Sequence, residues 1–182
     1  MSQKALIIID LQKDYFPGGK WELDEIGKAS ENAARLIKSF RAKNDLVIHV
    51  RHEFVSDSSP FFNPGSVGAA IHDKVKPIPG ELVVLKNQVN SFQETNLKEI
   101  LTQNNVQDLV ICGAMSHMCV DATTRAATDL KYECTLIHDA CATRDLEFNG
   151  IVVPSRQVHA AHMAALSFAY ANLVSTDEFL NA

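Results

Sequence analysis

The sequence lacks the features of a membrane, secreted or nucleic-acid-binding protein. Its 182 residues contain no apolar run near the roughly 18 residues that a membrane-spanning helix needs. The N-terminal apolar stretch covers only residues 5–9 and no small-residue cleavage site follows it, so we expect no signal peptide. No run of lysine and arginine exceeds two residues, and the formal net charge is −5. We therefore expect a cytoplasmic protein that binds neither membrane nor nucleic acid.

Motifs for cofactors, metals and dithiol chemistry are also missing. No GxGxxG follows the first apolar run and no P-loop is present, which argues against a nucleotide-binding oxidoreductase. The four cysteines form no CxxC pair, so free thiols are expected in a cytoplasmic chain. His49, His52 and His72 do not have the spacing of metal ligands, and we expect no metal and no cofactor.

The residues that are present indicate an α/β fold. Hydrophobic residues make up 46% and charged residues 21%, a globular composition, and the length suits a single domain, 1–182. The apolar patterns predict strands at residues 5–10, 46–51, 82–86, 107–113, 134–138 and 172–175. They predict helices at residues 30–44, 95–105, 116–130 and 155–170. This alternation predicts a three-layer α-β-α, Rossmann-like fold whose mostly parallel six-stranded sheet carries helices on both faces.

Three residues that could do chemistry lie at or just after strand ends, where sites form in parallel sheets. Asp10 ends the first strand and could act as a general base, and Lys86 ends the third and could stabilise negative charge. Cys119 follows the fourth strand, near a helix start that would lower the pKa of its thiol and make it a nucleophile. Together they would supply a base, a cation and a nucleophile to one place.

Each of the three also has an ordinary alternative. Cys119 could be a buried structural cysteine, as we expect for Cys112, Cys134 and Cys141. Asp10 could cap a turn, and Lys86 could be a solvated surface residue.

The segments around these residues resemble the isochorismatase-like cysteine hydrolase superfamily over nearly the full chain. They are residues 8–16 (IIDLQKDYF), 50–52 (VRH), 80–86 (GELVVLK), 90–97 (NSFQETNL) and 113–127 (GAMSHMCVDATTRAA). The resemblance implies that Asp10, Lys86 and Cys119 are a catalytic triad. It also implies an oxyanion hole formed by the N–H groups of Met115 and Cys119, and a non-proline cis peptide between Ala114 and Met115.

The resemblance further implies hydrolysis of a carbon–nitrogen bond, in an amide, carbamoyl or ureido group of a small molecule, through a thioester. Nicotinamidases of the superfamily carry an Asp-x-His metal pair after the second strand, whereas residues 50–54 read VRHEF, so nicotinamide is disfavoured. True isochorismatases lack the nucleophilic cysteine. An ether or ester hydrolase of the isochorismatase type stays an alternative, as does a silent binding or thiol-sensor module of the same fold.

Two long loops, 11–29 and 53–81, could wall the substrate pocket. The candidate substrate-binding residues are Gln12, Phe16, Trp21, Phe54, Phe61 and His117. The aromatic ones could equally anchor the loops or form a subunit interface. The resemblance also implies a homo-oligomer, a dimer or tetramer, and leaves open whether a neighbouring subunit completes the pocket.

Overall fold

A parallel sheet organises residues 3–182, the part of the chain that the computed structural model describes. The predicted domain, 1–182, also includes Met1 and Ser2, which lie outside the described residues. The strands are β1 (Gln3–Ile9), β2 (Leu46–His52), β3 (Leu82–Lys86), β4 (Val106–Ala114), β5 (Glu133–Ala142), β6 (Leu146–Phe148), β7 (Ile151–Val153) and β8 (Asn172–Val174). The helices are α1 (Ile26–Lys43), α2 (Leu97–Gln103), α3 (Asp121–Asp129), α4 (Ser155–Ala169) and α5 (Thr176–Asn181).

The strand order places the site-bearing strands at the centre of the sheet. The order is β3-β2-β1-β4-β5-β8, and each neighbouring pair is parallel. The chain builds outward on one side of β1 and then returns to build outward from β4. Such a reversal between two central strands opens a crevice at their carboxyl ends. Asp10 directly follows β1 and Cys119 follows β4, so the predicted fold class is confirmed and both residues lie at this crevice.

Burial on both faces explains why β1 is a continuous apolar run rather than an alternating one. Leu6 and Ile8 pack with the α1 side of the core. Ala5, Ile7 and Ile9 point to the other face, where they join residues of α2, α3 and α4. Among the described residues, no helix is both long and apolar enough to cross a membrane.

The largest differences from the predicted elements lie after β5 and at the C-terminus. Strand β5 extends to Ala142 rather than ending at 138, because its pairing with β4 resumes at Gly113 and Cys141 after an irregularity between Ile111 and Gly113. The β6–β7 hairpin was not predicted, although Asn149 and Gly150 both adopt positive φ, as a tight hairpin turn requires. Helix α5 was also missed; its capping box between Ser175 and Glu178 was a readable signal.

Glu81, immediately before β3, ties α1 to the sheet. Its carboxylate accepts two hydrogen bonds from Arg41 at 2.7 and 2.8 Å, and it pairs with Nε2 of the buried His49 at 3.0 Å. The N–H of Ile78 also donates to it at 3.0 Å. Burial alone would raise the pKa of Glu81, but the hydrogen bonds from Arg41, Ile78 and His49 lower it to about 2. A carboxylate whose pKa falls on folding stabilises the folded state at pH values above its unfolded pKa.

Glu81→Gln is therefore expected to lower the free energy of unfolding by about 2–3 kcal/mol at neutral pH. The difference between variant and wild type should shrink as the pH falls from the ordinary glutamate pKa toward about 2, because the wild type then loses the same charge. Urea unfolding at a series of pH values between neutral and 3 measures this difference. A difference that stays constant over that series would show that the charge of Glu81 is not the source of its contribution to the free energy of unfolding.

Candidate active site

The chain turns sharply at Asp10, the residue that follows β1 at the crevice. Asp10 has a φ of 51°, a left-handed conformation that aspartate adopts more readily than most residues. Its N–H donates to the carbonyl of Val50 in β2 at 3.0 Å, which fixes the start of the turn. The Asp10 side chain is fully buried, so its carboxylate needs a partner of opposite charge.

Lys86 supplies that partner and links the predicted catalytic residues to one another. Its Nζ lies 2.8 Å from Asp10 Oδ2 and donates to Cys119 Sγ at 3.2 Å. It also lies 2.7 Å from His52 Nδ1 and donates to the carbonyl of Gln88 at 3.1 Å. Lys86 is only 1% exposed, so the alternative of a solvated surface lysine is wrong. The structure thus brings Asp10, Lys86 and Cys119 together from three separate strand ends.

Cys119 lies in a wide helical turn, Ser116–Val120, that leads into α3. The N–H groups of Met118 and Val120 both donate to the carbonyl of Met115, at 3.0 and 3.2 Å. The second of these is a π-type hydrogen bond, a geometry often found at functional sites. The peptide bond between Ala114 and Met115 is cis, as the resemblance implied.

Ser116 anchors the same turn to neighbouring elements. Its Oγ donates to the carbonyl of Ala142 at 3.2 Å and lies 2.8 Å from His159 Nδ1 of α4. The turn that carries Cys119 is therefore held by both β5 and α4.

The expected low pKa of the Cys119 thiol is wrong. Burial raises the pKa of Cys119 to about 12, and the nearby Asp10 carboxylate raises it further than the Lys86 ammonium can offset. The helix start and a cation suggested a resting thiolate, but Cys119 is only 4% exposed and shares Lys86 with a carboxylate. Cys119 therefore rests as a thiol and needs a base at the moment of attack.

Burial and neighbouring charges also set the protonation of Lys86 and His52. Burial opposes the charge of Lys86, but Asp10 and Cys119 outweigh it and the pKa of Lys86 is raised. Burial and the charge of Lys86 together lower the pKa of His52 to about 4. At neutral pH the site therefore holds a Lys86 ammonium, a Cys119 thiol and a neutral His52 imidazole.

Asp10, His52 and Cys119 form a set of groups that could in principle hold a metal ion. One ligand atom from each lies within 4.8 Å of the others. The Lys86 ammonium, however, already contacts all three at 2.8, 2.7 and 3.2 Å. A divalent ion at the same point would face this fixed positive charge, so the donor set fits the ammonium and not a metal. Sequence spacing missed the cluster because its members come from different strand ends.

Aromatic side chains from the two long loops form one group beside the site. Phe61 contacts Trp21, Phe54 and Tyr15, with ring centroids 4.8, 5.2 and 5.6 Å apart. Phe54 in turn lies 4.7 Å from the ring of His52, which contacts Lys86. The structure therefore joins three candidate pocket residues, Trp21, Phe54 and Phe61, in one aromatic group that reaches the site through the contact of Phe54 with His52.

The other candidate pocket residues have different surroundings. Gln12 is fully buried, and its Nε2 donates to the carbonyls of His52 and Ala69, at 2.7 and 2.8 Å. Both N–H groups of the Gln12 amide are therefore used inside the protein, where they join the first loop to β2 and to the second loop. The substrate contact of Gln12 stays a prediction. Phe16 stacks on His72 with centroids 3.6 Å apart. His117 Nδ1 forms a hydrogen bond with Thr143 Oγ1 at 2.6 Å.

Comparisons with known proteins agree with the fold and the motifs. A family model described as Isochorismatase domain matches residues 4–178. The uncharacterized isochorismatase family protein YddQ of Bacillus subtilis is 44% identical, over 97% of this chain and 98% of its own. The ureidoacrylate amidohydrolase RutB of Azorhizobium caulinodans is 26% identical, over 77% of this chain and 76% of its own. A crystal structure described as an isochorismatase hydrolase, from Oleispira antarctica, superimposes with a TM-score of 0.96 and 55% identity, over 100% of this chain and 97% of that one.

Proposed function

The chain belongs to the isochorismatase family of hydrolases, and from this premise we propose that it is a cysteine hydrolase of small molecules that cleaves a carbon–nitrogen bond. The bond would belong to an amide, carbamoyl or ureido group, and the reaction would pass through a thioester. One observation carries the proposal: the Cys119 thiol contacts an ammonium, Lys86, that is itself paired with a buried carboxylate, Asp10.

In the proposed first half-reaction, the Asp10 carboxylate takes the thiol proton as the Cys119 sulfur attacks the substrate carbonyl carbon. The carbonyl oxygen gains the electron pair and accepts hydrogen bonds from the N–H groups of Met115 and Cys119. Asp10 then gives its proton to the departing nitrogen, the carbon–nitrogen bond breaks, and an acyl thioester remains. Because the pKa of Cys119 is about 12, proton removal must accompany attack.

In the second half-reaction, Asp10 takes a proton from a water that attacks the thioester carbonyl. The carbon–sulfur bond breaks, the acid product leaves, and Asp10 returns the proton to the sulfur. Lys86 stays charged through both halves and stabilises whichever of its neighbours is negative, the Asp10 carboxylate or the Cys119 sulfur.

The carbon–nitrogen class is supported by the nucleophile and by the relative whose name gives an amidohydrolase activity, RutB. A thiol sensor is disfavoured, because redox-sensing cysteines have low pKa values and accessible sulfurs. Cys119 has a raised pKa and is buried. The aromatic group around Phe61 suits a small substrate with a flat or apolar part.

We further propose that the protein acts in the cytoplasm as a homo-oligomer. Its four cysteines are free and buried, which suits a reducing compartment. The β6–β7 hairpin exposes Phe148, Ile151 and Val152, and α4 exposes Phe168. Exposed apolar residues of this size are typical of surfaces that meet another subunit.

The proposal is tested by ammonia release over a panel of small amides, carbamoyl compounds and ureido compounds. With any active compound, an acid quench followed by peptide mass spectrometry is expected to find the acyl group on Cys119. The buried Cys112 is the internal control. It lies in β4, the strand that precedes the turn of Cys119, and should carry no adduct. Turnover without an adduct on Cys119, or with one on another cysteine, would rule out the thioester route.

A further inference from the structure

His52 lies beside Lys86 although the proposed reaction gives it no task. It is the last residue of β2, and the strand register places it directly opposite Lys86 at the end of β3. Its side chain is 5% exposed, and its Nδ1 lies 2.7 Å from the Lys86 Nζ. Among residues 3–182 it is the shortest of the four polar contacts of the Lys86 ammonium.

The contact fixes which ring nitrogen of His52 carries the proton. A lysine ammonium has three N–H donors and no acceptor, so Nδ1 must accept and the ring proton must sit on Nε2. The imidazole is neutral at physiological pH, because burial and the charge of Lys86 hold the pKa of His52 near 4. His52 is therefore a permanent acceptor for one of the three ammonium protons.

The backbone and ring of His52 are themselves held in place. Its N–H donates to Gln12 Oε1 at 2.7 Å, and its carbonyl accepts from Gln12 Nε2 at 2.7 Å. Its ring packs against Phe54, with centroids 4.7 Å apart and planes inclined by 52°. Lys86 has a flexible four-carbon side chain, so the acceptors at His52 Nδ1 and the Gln88 carbonyl together restrict how its ammonium can be directed at Asp10 and Cys119.

We propose that His52 is a positioning residue, which holds the Lys86 ammonium in the orientation that serves Asp10 and Cys119 together. This inference rests on the proposed function of the same site. In this proposal His52 acts through Lys86, which its Nδ1 contacts at 2.7 Å, and takes no direct part in bond making or breaking. An error of about 1 Å in the placement of a catalytic group can cost roughly 100-fold in rate, so the effect should appear in kcat rather than in KM.

Two replacement side chains of nearly equal size distinguish the effect of losing the hydrogen-bond acceptor from the effect of changing the side-chain volume. His52→Asn keeps an oxygen that can accept from Lys86, and His52→Leu removes it. We expect His52→Leu to lower kcat about 10- to 100-fold with KM changed less than about 3-fold, and His52→Asn to recover most of the loss. Equal losses in the two variants, or a loss confined to KM, would overturn the positioning role.

A second measurement needs no substrate and so separates this inference from the proposed function. Lys86 favours the Cys119 thiolate, so a misplaced Lys86 should slow alkylation of Cys119 by iodoacetamide at a fixed alkaline pH. Mass spectrometry of the Cys119 peptide is expected to show alkylation several-fold slower in His52→Leu than in His52→Asn. If this ratio holds while the amide panel shows no turnover on Cys119, the proposed reaction fails and the positioning of Lys86 stands. Equal alkylation rates would refute the role of His52 even in an active enzyme.

Discussion

Cys119→Ala is expected to lower the turnover of any substrate of this enzyme by about 10⁴-fold or more. Loss of a nucleophile removes the covalent route entirely, and losses of about 10⁴- to 10⁶-fold are typical of such changes. The N–H groups that we propose as the oxyanion hole would remain, and they would support only residual catalysis. The measurement is kcat/KM for the best compound of the amide and ureido panel.

Cys112→Ala is the matched control for this loss. Cys112 is fully buried in β4, and its pKa is raised by burial and by the nearby Cys141, but it lies in the strand rather than at the crevice. Both substitutions remove one sulfur from a packed interior, so their costs in folding stability should be similar, about 1–2 kcal/mol. If Cys119→Ala kept more than a few per cent of wild-type turnover, or if Cys112→Ala lost as much, Cys119 would not be the nucleophile.

The sheet was predictable because its strands are short, apolar and separated by helical patterns. Strand β3 has the predicted bounds, 82–86, and β2 and β4 differ from the prediction by a residue at their ends. The part of β5 beyond residue 138 was not predictable, because its composition no longer reads as a buried strand and only its pairing with β4 shows it to be one. The hairpin and α5 are too short to give a periodic pattern, and only their turn and cap residues mark them.

The positions of the three candidate catalytic residues followed from a rule about parallel sheets together with a resemblance. Their protonation did not, because it depends on burial and on how Lys86 divides its contacts. The sequence placed Cys119 near a helix start, which favours a thiolate, whereas the fold encloses the sulfur and places a carboxylate beside it. The internal hydrogen bonds of Gln12 were not predictable for a related reason: its partners, Ala69 and the backbone of His52, are distant in sequence.

Lys86→Met is expected to damage both folding and catalysis, because the fully buried Asp10 carboxylate would lose the cation that faces it. Removing one partner of a buried ion pair typically costs about 3–5 kcal/mol of stability, since the other charge stays desolvated and unpaired. Turnover should fall about 10³-fold, because Lys86 would no longer stabilise negative charge on Asp10 or Cys119. Urea unfolding and steady-state kinetics on the same preparation measure the two effects.

Adding Asp10→Asn to Lys86→Met separates the folding role of the pair from its catalytic role. With no unpaired charge left in the interior, the double variant should regain most of the lost stability, yet turnover should stay at or below that of the single variant. Lys74→Met is the surface control: Lys74 pairs with Glu31 where both side chains are largely exposed, and its loss should change neither stability nor turnover measurably.

A Lys86→Met protein as stable as the wild type would mean that Asp10 is not charged when Lys86 is absent. A double variant no more stable than Lys86→Met would mean that packing around the lysine stem, rather than the ion pair, holds this part of the core. Recovery of stability without recovery of turnover would show that the charges of Asp10 and Lys86 serve the chemistry of Cys119 and that a neutral pair could hold the fold alone.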